Sequence, residues 1–288
     1  MATHWQAVIS SESTSNRQYL SARFMTKSPT NCPPVPLTFR SPVPLLNSDS
    51  SPDSPAIAEV DIWTVDLDSQ IEWEDYHLAL LDSAERARAE RSLAIVRRRF
   101  IATRGSLRRL LGRYLNLAPA RVALEYDPHG KPRLAGDAPG WSFNISHSDH
   151  QALFAVGWNL ELGVDLEILR VMRDLPALAV RVLAPVEWAH WNSLEESRKA
   201  DAFFDYWVCK EAFVKALGRG LGLGLERCVI SLDQPPRLLE IPAHCGACAE
   251  WSLHRLPLGP GRSGALCARI PSLQMNLLEF PSDGCSFS

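Results

Sequence analysis

The chain has 288 residues, 46% of them hydrophobic, with a formal charge of −3 and seven cysteines. That length leaves room for about two domains with real cores, and the near-neutral balance argues against a whole-molecule attraction to nucleic acid or an anionic membrane. No run approaches the roughly 18 apolar residues of a membrane span, no apolar signal core opens the chain, and an odd number of scattered cysteines reads as free thiols, so a soluble cytoplasmic protein is expected.

Residues 1–56 are rich in Ser, Pro and Thr and read as a disordered extension. Glu12 is the only acidic residue before Asp49, whereas Arg17, Arg23, Lys27 and Arg40 are basic, a balance that an organelle transit peptide shares. The ordered chain is expected to begin with a strand over 59–67, followed by a long helix over 82–115. Strands follow at 121–126, 141–145, 152–158 and 162–168, helices at 175–194 and 195–217, and closing strands at 225–232, 250–256 and 265–270. Strand, helix and strands occur twice over. This predicts an α+β chain with an N-terminal half over 57–160, a C-terminal half over 161–272, a tail over 273–288, and a site between the halves.

Charged residues fall where the helical pattern wants apolar ones. On the 195–217 helix, Ala200, Phe203, Phe204, Trp207, Val208 and Val214 share a stripe, and Glu211 lies inside it, about 40° from Trp207. A lone carboxylate there is costly unless a cation compensates it, so the position reads either as an ion pair with Lys215, one turn on, or as part of a metal or phosphate site. On the earlier helix the stripe holds Leu93, Val96, Phe100, Leu107, Leu111 and Leu115. Arg97, Arg104 and Arg108 fall within it or at its border, while Arg91, Arg98, Arg109 and Arg113 point away as a solvated face. Between Arg86 and Arg113 only Glu90 is acidic, which makes this helix a positive source suited to phosphates or an acidic protein partner. No nucleic-acid reader motif accompanies it.

Gly163-Val-Asp-Leu-Glu167 reads as a strand, which puts Asp165 and Glu167 on one face about 6.5–7 Å apart. Such a pair marks either a wet sheet face or a shared cation, and Mg²⁺ suits carboxylates, waters and substrate phosphates. Trp141-Ser-Phe-Asn-Ile-Ser-His-Ser148 is expected to present Asn144, Ser146 and His147 at a strand end as donors for phosphate oxygens, and the Gly130-Lys-Pro132 turn to fix Lys131. The glycine run 218–224 follows a helix and precedes a strand, so it reads as a cap and loop rather than a phosphate cradle. His244-Cys-Gly-Ala-Cys248 lacks a second pair at zinc spacing.

Taken in order, Gly130-Lys-Pro132, Phe143-Asn-Ile-Ser-His-Ser148, Gly163-Val-Asp-Leu-Glu167 and Trp207-x-x-Lys-Glu-Ala-x-x-Lys215 resemble the 4'-phosphopantetheinyl transferases of the surfactin-synthetase-activating type, in the subgroup with Trp and Lys-Glu-Ala. A looser likeness runs from about residue 59 to 270 and includes Arg98-Arg-Phe100. The resemblance implies a monomer of two similar α/β halves with pseudo-twofold symmetry and coenzyme A bound between them. It implies a Mg²⁺-dependent transfer of phosphopantetheine to a serine of an acyl or peptidyl carrier protein, with no nucleic-acid or membrane partner. Asp165, Glu167 and Glu211 match the magnesium carboxylates, Glu211 doubling as candidate base. Lys215 matches the lysine near the diphosphate, and Lys131, Asn144, Ser146 and His147 match coenzyme A contacts. Where the family often has a basic residue, four positions before Phe100, this chain has Val96, and Arg97 or Arg104 is the expected substitute, with Arg108 beside them.

Overall fold

A computed structural model describes residues 58–128, 130–136, 140–218 and 224–282. The extension over 1–56, most of the glycine run 218–224 and the last part of the tail lie outside the described residues. The ordered chain opens with β1 (Ala58–Asp66), whose Val60 and Ile62 on one face and Trp63 and Val65 on the other are all buried. Burial on both faces means that the strand lies inside a covered sheet.

Three helices follow: α1 (Glu74–Leu80), α2 (Ser83–Glu90) and α3 (Ala94–Tyr114). Asp82 starts α2 by accepting from the Glu85 N–H at 2.8 Å, and the Glu85 carboxylate accepts from the Asp82 N–H in return. The helix expected over 82–115 is interrupted: Ser92 turns its hydroxyl onto the Arg88 carbonyl at 3.0 Å, Leu93 becomes extended, and α3 begins anew. The first turn of α3 consequently projects from the body, so Leu93 and Val96, expected in the buried stripe, are exposed. Arg109, expected in solvent, is instead buried over the Phe280 ring at 4.8 Å.

Two short strands, β2 (Leu124–Tyr126) and β3 (Pro132–Leu134), lead to β4 (Trp141–Ser148), β5 (Gln151–Trp158) and β6 (Leu162–Ile168). The helix expected over 175–194 is split into α4 (Leu175–Val182) and α5 (Pro185–Asn192), because Ala184 precedes Pro185 and is held extended at φ −63°, ψ 157°. Next come α6 (Glu196–Leu217), β7 (Val229–Ser231), β8 (Arg237–Glu240), β9 (Ser252–Arg255), β10 (Arg262–Ala268) and β11 (Leu273–Glu279).

The two larger sheets have the orders β11-β1-β5-β4 and β6-β10-β9, and β2 with β3 and β7 with β8 form two-stranded ladders. Without β11 each half repeats one plan, a strand, a long helix and a hairpin whose second strand pairs back on the first. Leu107, Leu110 and Leu111 of α3 cover one face of the first sheet, and Phe213 of α6 belongs to the core with Leu253 and Cys267 of the second. The remaining faces meet each other through Ile62, Leu153, Val164 and Leu266. The layers therefore run helix, sheet, sheet, helix. The segment read as a tail is structural: β11 pairs in parallel with β1, and Phe280 joins the core under α3.

His77 of α1 is fully buried against Gly105 of α3, where a Cβ would lie 2.0 Å from the His77 Nδ1, and neither ring nitrogen has a hydrogen-bond partner. Burial first, and the Arg109 charge second, push its pKa down from 6.5 to about 3. The unfolded chain therefore takes up the proton before the folded one does. Stability held above pH 6.5 is lost as the pH falls toward 3, by on the order of 1 kcal/mol between pH 7.5 and 5.5. Across that window the urea midpoint of the wild type should fall relative to that of His77→Leu, which keeps every other shifted group.

Candidate active site

The two sheets present edges to one another, and the side chains of β4 bind the backbone of β6. Asn144 Oδ1 accepts the Val164 N–H at 2.8 Å, Ser146 Oγ the Leu166 N–H at 3.3 Å and Ser148 Oγ the Ile168 N–H at 3.1 Å. This alternation follows from the two-residue period of both strands, and it satisfies the outward N–H groups of an edge that no third strand covers. On the face of β6 toward α6 the same hydroxyls orient the two acids. Ser146 Oγ donates to Asp165 Oδ1 at 2.8 Å, and Ser148 Oγ donates to Glu167 Oε2 at 2.9 Å.

At Gly163 the backbones of α6 and β6 lie too close for a side chain. A Cβ there would stand 2.2 Å from the Ala212 carbonyl oxygen and 2.3 Å from the Ala216 nitrogen. With no side chain in the way, the last turns of α6 lie on the strand beside Asp165, and Lys215 reaches Asp165 Oδ1 at 2.6 Å and Ser146 Oγ at 2.8 Å. The i,i+4 partner expected for Glu211 is thus taken by Asp165. Glu211 makes no hydrogen bond or ion pair among the described residues, while burial, then Asp165, and also Glu167 raise its pKa to about 8 against the pull of Lys215. Glu167 is likewise raised by burial and Asp165, although Arg170 holds its Oε2 at 3.0 Å. Asp165 Oδ2 is buried without a partner.

An orphaned carboxylate oxygen, a second carboxyl whose burial beside Asp165 raises its proton affinity, and hard oxygen donors fit a hard cation such as Mg²⁺. Among the described residues no three potential ligands are gathered closely enough to hold a metal alone.

Across β4 the charge changes sign. His147 reaches solvent at the strand end, and desolvation in its crevice, followed by the charges of Lys215, Arg104 and Arg88, lowers its pKa to about 4. Arg104 is buried between the Phe100 and Tyr126 rings, 3.7 Å from Glu85, and its Nη1 has no hydrogen-bond partner. Arg104, Arg88 and Lys215 are thus the cations whose field bears on this end of β4, where an anion would be favoured.

The other expected contacts lie elsewhere. Arg97 pairs with Glu74 at 2.7 Å, and Arg108 with Glu85 at 2.7 Å and Asp82 at 3.3 Å. Asn144 and Ser146 are each 3% exposed, and the Ser146 hydroxyl, donating once and accepting twice, has no capacity left for a phosphate. The Lys131 ammonium bonds two backbone carbonyls, Leu162 at 3.3 Å and Lys215 at 2.5 Å.

Ser148, Arg170 and Arg88 escaped the sequence reading because surface-type residues acquire roles here only through neighbours distant in sequence. Lys210 was also missed. Beside Glu211 but on another face of α6, it is fully buried against Glu187 at 2.5 Å and the Val182, Leu225 and Cys228 carbonyls, and Glu187 in turn accepts from the Ala184 and Ile230 N–H groups. This pair fixes α6 within its own half.

A family model described as the 4'-phosphopantetheinyl transferase superfamily matches residues 161–267. The 4'-phosphopantetheinyl transferase HetI of Nostoc is 42% identical over 204 residues, covering 69% of this chain and 82% of that protein. The Bacillus subtilis 4'-phosphopantetheinyl transferase ffp is 30% identical over 178 residues, 62% of this chain and 73% of the relative. A human L-aminoadipate-semialdehyde dehydrogenase-phosphopantetheinyl transferase is 31% identical over 158 residues, 49% of this chain and 48% of its own length.

Proposed function

Because the chain belongs to the 4'-phosphopantetheinyl transferase superfamily, we propose that it moves the phosphopantetheine arm of coenzyme A onto a serine of an acyl or peptidyl carrier protein. The observation that carries this reading is the pairing of two opposite surfaces across β4. Asp165, Glu167 and Glu211 bring together acidic groups with an unfilled carboxylate oxygen, and Lys215, Arg104 and Arg88 are cations whose charge reaches His147 at the end of β4. A diphosphate ester with a further phosphate asks for both.

The serine oxygen attacks the phosphorus that bears the pantetheine arm, the bond to the bridging oxygen breaks, and adenosine 3',5'-bisphosphate leaves with the electron pair. A magnesium ion held by Asp165 and Glu211, with Glu167 beside them, would supply charge neutralisation on the diphosphate. Lys215, anchored by Asp165 and Ser146, adds a second positive contact from the protein. His147 and Arg104 face the remaining phosphate. Glu211, which among the described residues makes no hydrogen bond or ion pair and whose burial raises its proton affinity in the metal-free chain, is the candidate to take the serine proton. Glu167 is the weakest ligand of the three, since Arg170 and Ser148 already share one of its oxygens.

The test is incubation with coenzyme A, Mg²⁺ and apo-carrier proteins of both classes, read by intact mass. One phosphopantetheine added per carrier, lost on chelation of the metal, is expected. A folded enzyme that binds coenzyme A but modifies no carrier would replace this reading with that of a coenzyme A-binding regulator.

A further inference from the structure

We propose that Lys131 is a positioning residue: its ammonium ties the carbonyls of Leu162 and Lys215 together and so holds the last turn of α6 on β6, which sets the contact between Lys215 and Asp165. The local chain is built to aim this side chain. Asp127 accepts the Lys131 N–H on its carboxylate at 2.9 Å, the Asp127 N–H donates to the Lys131 carbonyl at 3.0 Å, and the Gly130 N–H closes the turn on the Asp127 carbonyl at 2.9 Å. Gly130 takes φ +85°, a conformation natural to glycine, and Pro132 stiffens the exit.

From that turn in the N-terminal half the side chain crosses to the C-terminal half. Its two acceptors are the first carbonyl of β6 and a carbonyl in the last turn of α6, the latter also capped by the Gly218 N–H at 3.2 Å. A cation at a helix C-terminus opposes the partial negative charge there. The clamp grips the backbone of the same residue whose side chain reaches Asp165, and it lies next to Gly163, where strand and helix backbones touch. A side chain committed to two carbonyls across the joint is not placed to hold a phosphate. Burial lowers its pKa to about 8, with Lys215 assisting and Asp127 and Glu161 opposing.

The kinetic arm of the test rests on the transferase reading, and the first arm does not. Hydrogen exchange on the ligand-free full-length chain should show amides at 162–164 and 215–218 losing protection about tenfold or more in Lys131→Met and regaining it in Lys131→Arg. Lys131→Gln, which keeps an N–H donor, replaces the methionine variant if that one does not fold. In transfer assays Lys131→Met should lower kcat about tenfold to a hundredfold with KM for coenzyme A changed less than about threefold. Combined with Lys215→Met it should cost no more than Lys215→Met alone, because both act through one contact. Unchanged exchange, a raised KM at full kcat, or multiplying losses in the double variant would overturn the clamp. If the wild type transfers nothing, the functional reading fails and the exchange result still decides the role of Lys131.

Discussion

Asp165→Asn should lower kcat/KM for carrier modification about a thousandfold while the fold remains intact. The side chain is 5% exposed and its two oxygens have different tasks. Oδ1 receives Lys215 at 2.6 Å and Ser146 at 2.8 Å, contacts that an asparagine oxygen can still accept. Oδ2, buried with no partner, is the oxygen left for a cation, and the amide group puts N–H donors in its place. The substitution also removes the negative charge that faces Lys215, so the lysine keeps a hydrogen bond but loses its counter-charge. Losing one preorganised electrostatic group in a closed site costs about 10²–10³ in rate, and this change disturbs two. Initial rates by mass shift, with thermal unfolding measured alongside, check the expectation. Retention of a tenth of wild-type activity would mean that the cation is held elsewhere.

Gly163→Ala should be nearly as damaging, through packing rather than charge. The backbone at 163 is ordinary, so the requirement for glycine is one of space alone. A methyl group would stand 2.2 Å from the Ala212 carbonyl oxygen and 2.3 Å from the Ala216 nitrogen, both of them backbone atoms that cannot rotate aside. The strand is held on its other side, since Gly163 is paired with Cys267 in the β6–β10 ladder. The helix must lift. Overpacking of this kind costs about 1–3 kcal/mol, and a shift of about 1 Å in α6 carries Glu211 and Lys215 away from Asp165, worth about a hundredfold in rate. Urea unfolding and the transfer assay should move together. A variant of wild-type stability would show that α6 does not sit as tightly on β6 as described.

Much of the acidic site was legible because it depends on local periods. Strand alternation places Asp165 and Glu167 on one face, and β6 occupies the expected residues, 162–168. Helical period set Glu211 apart from its neighbours, and it is the carboxyl that the structure leaves without a partner. The halves repeat one element order, as anticipated, but their boundary was drawn too simply. Leu273, Met275 and Leu277 alternate as a strand should, yet a strand that pairs in parallel with β1, more than two hundred residues earlier, has no local turn to announce it.

The sequence by itself determined the α+β class, the family, and which side chains share a face, because these follow from side-chain period and from motifs read within a few residues. Only the tertiary structure decided how the polar groups pair. Lys215, read as one candidate partner of Glu211, bonds Asp165; Asn144 and Ser146 bond the backbone of β6; and Lys131 bridges two carbonyls of the other half. A buried donor takes the acceptor that folding brings within about 3 Å, and at a joint between two halves that acceptor is chosen by the approach of distant backbones, as at Gly163, rather than by any spacing along the chain.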